Sequence, residues 1–175
     1  MTLPARAALV ERSHPDPGDA RALLLAADYA ETLSLIERLH RLLLDVIKDE
    51  FERLGLLEVN AVQALLVYNI GEAELTAGEL KTRGYYQGSN VSYNLKKLVG
   101  AGYMHHQRCA ADRRAVRVRL TARGREVCRV VEALFARHAS QFPGQTALAP
   151  GALGEANAAL RRLERYWSEQ IRYIY

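Results

Sequence analysis

Arg108, Asp112, Arg113 and Arg114 surround a predicted tight turn, and the stretch that follows, Ala115-Val116-Arg117-Val118-Arg119-Leu120, alternates apolar and cationic residues. Alternation at a period of two gives a strand with one apolar and one cationic face. Tyr103 to Arg108 supplies the other arm of a hairpin, with Asp112 near the tip, where short polar side chains favour turns. Guanidinium groups at such a tip can enter a narrow minor groove or grip phosphates. Asp112 would be repelled by a polyanion unless it is paired, so it is expected to accept from Arg114 or a nearby amide and fix that arginine.

A second group lies just upstream, in the predicted helix from Ser89 to about Ala101. At 100° per residue, Val91, Leu95, Leu98 and Val99 fall on one side and must face a core. Ser89, Asn90, Tyr93, Lys96 and Lys97 fall on the other, with Ser92 on the flank. Short hydrogen-bonding groups and an aromatic near the helix N-terminus suit base edges; the two lysines suit phosphates.

The elements that must position these groups are legible as well. Thr76-Ala77-Gly78-Glu79 fits a capping box that opens a short helix to about Arg83, and Leu75 is a candidate one-bond strand. Gly84-Tyr85-Tyr86-Gln87-Gly88 forms the turn into the Ser89 helix. Thr121 can cap a helix running from about Ala122 to Ser140. Pro143, Gly144, Pro150 and Gly151 then read as a linker before a last helix from Ala152 to Ile174. Its stripe is Leu153, Leu160, Leu163, Trp167, Ile171 and Ile174. Upstream, residues 1–19 read as a loose arm, with Asp19 a candidate cap for a helix from about 20 to 54. Tyr29, Leu33, Ile36, Leu39, Leu43, Val46, Ile47, Phe51 and Leu54 recur there at helical steps. Gly55 stops that helix, and a second helix from Val59 to Asn69 precedes Gly71. The expected architecture is mainly α (α+β): a winged helix-turn-helix over residues 59–124, flanked by dimerisation helices at 20–58 and 125–175.

Charge supports the same reading. The chain of 175 residues carries a net charge of +4, yet residues 76–129 hold twelve Lys/Arg against three acids, a local +9 that leaves −5 for the remainder. A basic middle between acidic flanks is the footprint of a polyanion binder. Hydrophobic content of 49% and charged content of 25% are ordinary for a globular chain. No apolar run is long enough to span a bilayer, and no signal peptide is seen. Two cysteines, Cys109 and Cys128, are too few for a disulfide scaffold, so a reduced, cytoplasmic setting without a membrane partner is expected. His105, His106 and Cys109 raise the question of a metal. Neighbours on a strand point to opposite faces, so no metal site is expected. No phosphate loop, nucleophile elbow or carboxylate pair appears, so neither an enzyme nor a cofactor is expected.

Asp112-x-Arg114-x5-Leu120-Thr121-x2-Gly124, preceded by the helix-turn-helix, resembles the wing signature of the MarR family of bacterial transcriptional regulators. The resemblance covers about residues 20–175. It implies a homodimer on a pseudo-palindromic double-stranded DNA operator, acting in a repressor-like manner, with dimerisation through the N- and C-terminal helices. It also implies a small aromatic effector, for which Tyr29 and His40, beside the long first helix, are candidate contacts. The turn from Gly84 to Gly88 departs from the family in its glycines and tyrosines. The reactive N-terminal cysteine of peroxide-sensing members has no counterpart here. Two alternatives remain: a winged-helix protein-interaction module that never touches DNA, and a redox- or metal-dependent sensor acting through Cys109.

Overall fold

The computed structural model describes residues 17–76, 79–80, 88–108 and 116–172. These form α1 (Pro17–Arg53), α2 (Ala61–Ile70), β1 (Leu75–Thr76), α3 (Gly88–Gly100), β2 (Met104–Arg108), β3 (Val116–Leu120), α4 (Ala122–Gln145) and α5 (Ala152–Arg172). The chain divides into two compact units, residues 1–62 and 63–175.

In the first unit, α1 begins at Pro17, so Asp19 lies inside the helix and is not its cap. Proline fits the first turn, where its missing N–H costs no bond. The helix ends at Gly55, whose φ of +71° suits glycine. Leu56 N donates to Phe51 O (2.8 Å) and Gly55 N to Glu52 O (3.0 Å), the paired bonds of a Schellman stop. Near this end Ile47 and Phe51 are buried, and the buried carboxylate of Glu50 accepts from Arg53 Nε and Nη2, both at 2.8 Å. That fork meets the requirement that a buried charge be paired. The earlier turns differ. Every residue from Arg21 to Glu31 is exposed, including Leu23, Leu24 and Leu25 at 68%, 68% and 70%.

The second unit holds the three-stranded antiparallel sheet, in the order β1-β3-β2. Met104 faces Leu120, His106 faces Val118 and Arg108 faces Val116; Leu75 pairs with Val118 on the other edge of β3. Met104, Val118 and Leu120 are buried, as the alternation requires. From Gln63 to Val67 α2 is buried without a break, whereas Val62 is half-buried. Tyr68 meets Phe135 of α4 edge to face at 5.1 Å. Val127, Cys128, Val131 and Leu134 put one face of α4 into the core.

The expected linker after Ser140 is corrected: α4 continues through Pro143 and Gly144 to Gln145. A proline so near a helix end removes only the bond to the carbonyl four residues back. The end is closed by Thr146, whose N–H and Oγ1 both donate to Phe142 O, at 3.1 and 2.8 Å. Along α5, Leu153, Leu160, Trp167 and Ile171 are exposed and Leu163 is half-buried. The expected stripe therefore exists and is largely exposed; Ile174 lies outside the described residues. The predicted arm over residues 1–19 lies mostly outside them too.

Candidate nucleic-acid interface

The approach to α3 is built as the sequence implies. Thr76 Oγ1 accepts from Glu79 N (3.1 Å) while Thr76 N donates to Glu79 Oε2 (2.6 Å), a reciprocal capping box. Glu79 and Leu80 are helical and Leu80 is fully buried. The turn from Gly84 to Gln87 and the helix end near Arg83 lie outside the described residues.

On α3, Val91, Leu95 and Leu98 are buried at 1%, 6% and 2%. Asn90, Ser92, Tyr93, Lys96 and Lys97 are exposed, and Val99, expected inside, is half-buried. Ser89 lies in the first turn, but its side chain is outside the description. Lys97 Nζ sits 5.7 Å from the Tyr93 ring centroid, so cation and aromatic form one surface feature. Tyr93, Lys96, Lys97, Gly100 and Ala101 border a shallow depression of about 550 Å3. Asn94 was not singled out from sequence. It is buried, and its Nδ2 donates to Asn90 O at 2.9 Å. Its position on the core-facing side of the helical plot was the available signal.

The wing strands span Met104–Arg108 and Val116–Leu120. Their outer face carries His105 opposite Arg119 and Gln107 opposite Arg117. Arg119, His105 and Gln107 are exposed and Arg117 is half-buried. Arg108 ends β2 opposite Val116. Cys109, Asp112, Arg113 and Arg114 fall outside the described residues, so the tip is known from sequence alone.

The base of the wing is where the resembled motif acquires a physical reason. Thr121 Oγ1 accepts from Gly124 N (3.1 Å), capping α4, and donates to Gly102 O (2.8 Å). Thr121 N donates to Tyr103 O at 3.0 Å. Gly124 packs directly on this knot: a Cβ there would collide with the Tyr103 carbonyl oxygen and lie 3.3 Å from Leu120 Cβ. Arg123 Nη1 donates to Ala101 O (3.0 Å), and its guanidinium lies 4.4 Å from the Tyr103 ring centroid. Arg125 Nη1 donates to Leu120 O at 3.2 Å. Two cations of the basic segment thus hold backbone carbonyls together, which composition could not reveal.

The remaining candidates are scattered. Tyr29 and His40 lie eleven residues apart on α1, roughly 16 Å along the axis, too far to share one small ligand pocket on that helix. His40 borders a depression of about 500 Å3 with Ser34, Glu37, Arg38, Arg41 and Leu44; Tyr29 is 41% exposed elsewhere. His105 and His106 are both exposed. No group of three or more His, Cys, Asp or Glu suited to a metal occurs among the described residues. Cys128 is buried and donates to Glu132 Oε1 at 3.5 Å. Burial, helped by the Glu132 carboxylate, pushes its thiol up to about 11. No helix of the described residues is long and apolar enough to cross a membrane.

Comparison with known proteins agrees with this geometry. Residues 59–124 match the model of a winged helix DNA-binding domain. The exopolysaccharide II synthesis transcriptional activator ExpG of Rhizobium meliloti is 35% identical over 150 residues, covering 83% of this chain and 74% of that protein. Streptococcus pneumoniae FabT, solved in complex with DNA, superposes with a TM-score of 0.64 at 16% identity, over 81% of this chain and 99% of that one. A MarR transcriptional regulator from Methanosarcina mazei Go1 gives a TM-score of 0.65 at 18% identity, over 79% and 98%. The wing motif, the three-stranded sheet and the relatives converge: the chain belongs to the MarR family, whose members are winged-helix DNA-binding transcriptional regulators.

Proposed function

We propose that this regulator works as a homodimer, binds a pseudo-palindromic operator sequence-specifically and is modulated by a small aromatic ligand. The observation that carries the reading is the outward face of α3, where Asn90, Ser92, Tyr93, Lys96 and Lys97 stand opposite buried Val91, Leu95 and Leu98. An α-helix of this width fits the major groove, with its N-terminal side chains toward the base edges. Ser89, Asn90, Ser92 and Tyr93 then read bases or nearby phosphates, and Lys96 and Lys97 neutralise the backbone. Arg108, Arg113 and Arg114 at the wing tip enter the adjacent minor groove, with Asp112 holding Arg114. FabT, which shares this fold, was solved in complex with DNA, which supports DNA as the partner.

Dimerisation is supported by apolar surface that one protomer leaves open. On α1, Leu35, Leu39 and Leu42 are 40%, 60% and 49% exposed; on α5, Leu160, Trp167 and Ile171 are 43%, 37% and 59% exposed. Pairing such stripes across a two-fold axis covers them in both copies. It also sets two α3 helices against one side of the duplex, ~34 Å apart. The protein acts in the cytoplasm, where the chromosome lies, and performs no chemistry of its own. The ligand is to be sought along α1, beginning at the His40 depression.

Occlusion of a promoter gives the repressor-like outcome expected from sequence; an operator upstream of the promoter gives activation, the action named for ExpG. Selection of sites from random duplexes, followed by placing them before and over a reporter promoter, decides both questions. Enrichment of a two-fold symmetric site supports the reading. Absence of any enriched site would favour a protein-interaction module.

A further inference from the structure

Base contacts require a recognition element held to about 0.5 Å, so the joint between α3 and the wing matters as much as the groove-facing side chains. That joint is short. α3 stops in a Schellman motif: Tyr103 N donates to Leu98 O (2.9 Å) and Gly102 N to Val99 O (3.0 Å), with Gly102 at φ +77°. The carbonyls of Ala101 and Gly102 lie beyond the helix's own bonding, and both are met from the start of α4. Arg123 donates to the first at 3.0 Å and Thr121 to the second at 2.8 Å. The Arg123 guanidinium also lies 4.4 Å from the ring centroid of Tyr103, which is itself only 5% exposed. Tyr103 is bonded backward to α3 through its N–H and forward to the wing base through its carbonyl. Arg123 therefore bridges the first carbonyl beyond the recognition helix and the residue that links that helix to the wing.

The geometry points to Arg123 as a positioning residue for DNA recognition, a strut between α3 and the wing, and not one of the phosphate-binding arginines among which it falls in sequence. A guanidinium suits this position because its planar fork donates along its edge while its face lies on a ring. A cation there also complements the C-terminal end of the α3 dipole. The consequence for operator recognition rests on the DNA-binding reading; the strut itself does not.

The test uses the full chain with Arg123→Gln and Tyr103→Phe, the second keeping the ring face. Amide hydrogen exchange in the free protein comes first. Arg123→Gln is expected to speed exchange at Gly102, Tyr103 and Thr121 about fivefold, the scale of losing one exposed cation–π contact, since a glutamine amide can still donate a hydrogen bond. Tyr103→Phe keeps the ring face beside the guanidinium and should speed exchange less than Arg123→Gln does. Binding to the selected operator and to a scrambled duplex is then titrated across about 50–200 mM salt. The strut predicts about fivefold weaker operator binding for Arg123→Gln, scrambled-duplex binding within about twofold, and an unchanged salt slope. Equal losses on both duplexes with a slope shallower by about one would mean a phosphate contact and overturn the proposal. Unchanged amide protection, or unchanged operator affinity, overturns it too. A wild-type chain that fails to distinguish the duplexes would sink the sequence-specific reading alone, because the exchange measurement still decides the strut.

Discussion

Replacing Gly124 with alanine should reverse the usual effect of that substitution in a helix. In an open helical position the change stabilises by up to ~1 kcal/mol, because alanine restricts the unfolded chain and favours helix. At position 124 the new methyl group would strike the Tyr103 carbonyl oxygen and press on Leu120 Cβ at 3.3 Å. Neither neighbour is the free end of a flexible side chain. The start of α4 must shift away, stretching the Thr121 N to Tyr103 O bond of 3.0 Å and the Thr121 Oγ1 to Gly102 O bond of 2.8 Å. Overpacking costs about 1–3 kcal/mol and each weakened bond up to about 1 kcal/mol. Set against the helix gain, the net loss is about 2 kcal/mol, a fall in Tm of about 6 °C for a chain of this size. Gly154, in α5, is the internal control, since a Cβ there meets nothing within 4 Å. Calorimetric melts of both variants at one protein concentration would decide it. A Gly124→Ala melt at or above wild type would refute the close approach of α4 to Tyr103.

Other substitutions probe the remaining links. Thr121→Ala should cost about 1–2 kcal/mol, from the cap and the bond to Gly102 O together, and Thr121→Ser should spare most of that loss, read by the same melts. Lys96→Ala should weaken binding to all duplexes and make the slope of log affinity against log salt shallower by about one. Arg114→Ala should weaken operator binding while sedimentation still reports a dimer; monomers instead would contradict the wing assignment. Leu39→Asp should also weaken operator binding, but by giving monomers in sedimentation and so losing the second half-site. Cys128 adds a pH effect. Its thiol is held neutral in the fold up to about 11 against a usual value of 9.0. Stability from this site is complete below about pH 9 and falls as pH rises toward about 11, because only the unfolded chain ionises there. Cys128→Ala should flatten urea midpoints across that window.

Local patterns made much of this site visible beforehand. Residues 89–99 needed only helical periodicity to separate Val91, Leu95 and Leu98 from Tyr93, Lys96 and Lys97. The Thr76–Glu79 box and the Thr121 cap are spacing rules within one turn, and both close as expected. The wing strands were readable because Val118 and Leu120 alternate with Arg117 and Arg119. What escaped depends on distance along the chain or on small energy differences. Arg123 reaches a carbonyl twenty-two residues back, a partner no local pattern specifies, so it counted as one more surface cation. Asn94 satisfies itself on a carbonyl of its own helix, which lets an amide sit on the buried side. Pro143 read as a break, yet so near the helix end it forfeits a single bond. Tyr29 and His40 were joined by position on one helix, and the rise of that helix separates them.

Hydroxyl-radical footprinting on a selected operator gives the most direct answer. A homodimer presenting two copies of α3 leaves two protected half-sites on one face of the duplex, with centres about 10 base pairs or a multiple apart. Mutating Asn90 or Tyr93 should change which bases are enriched in each half-site. A single protected stretch without symmetry, or enrichment indifferent to Asn90 and Tyr93, would contradict the assignment of α3 as the reading helix.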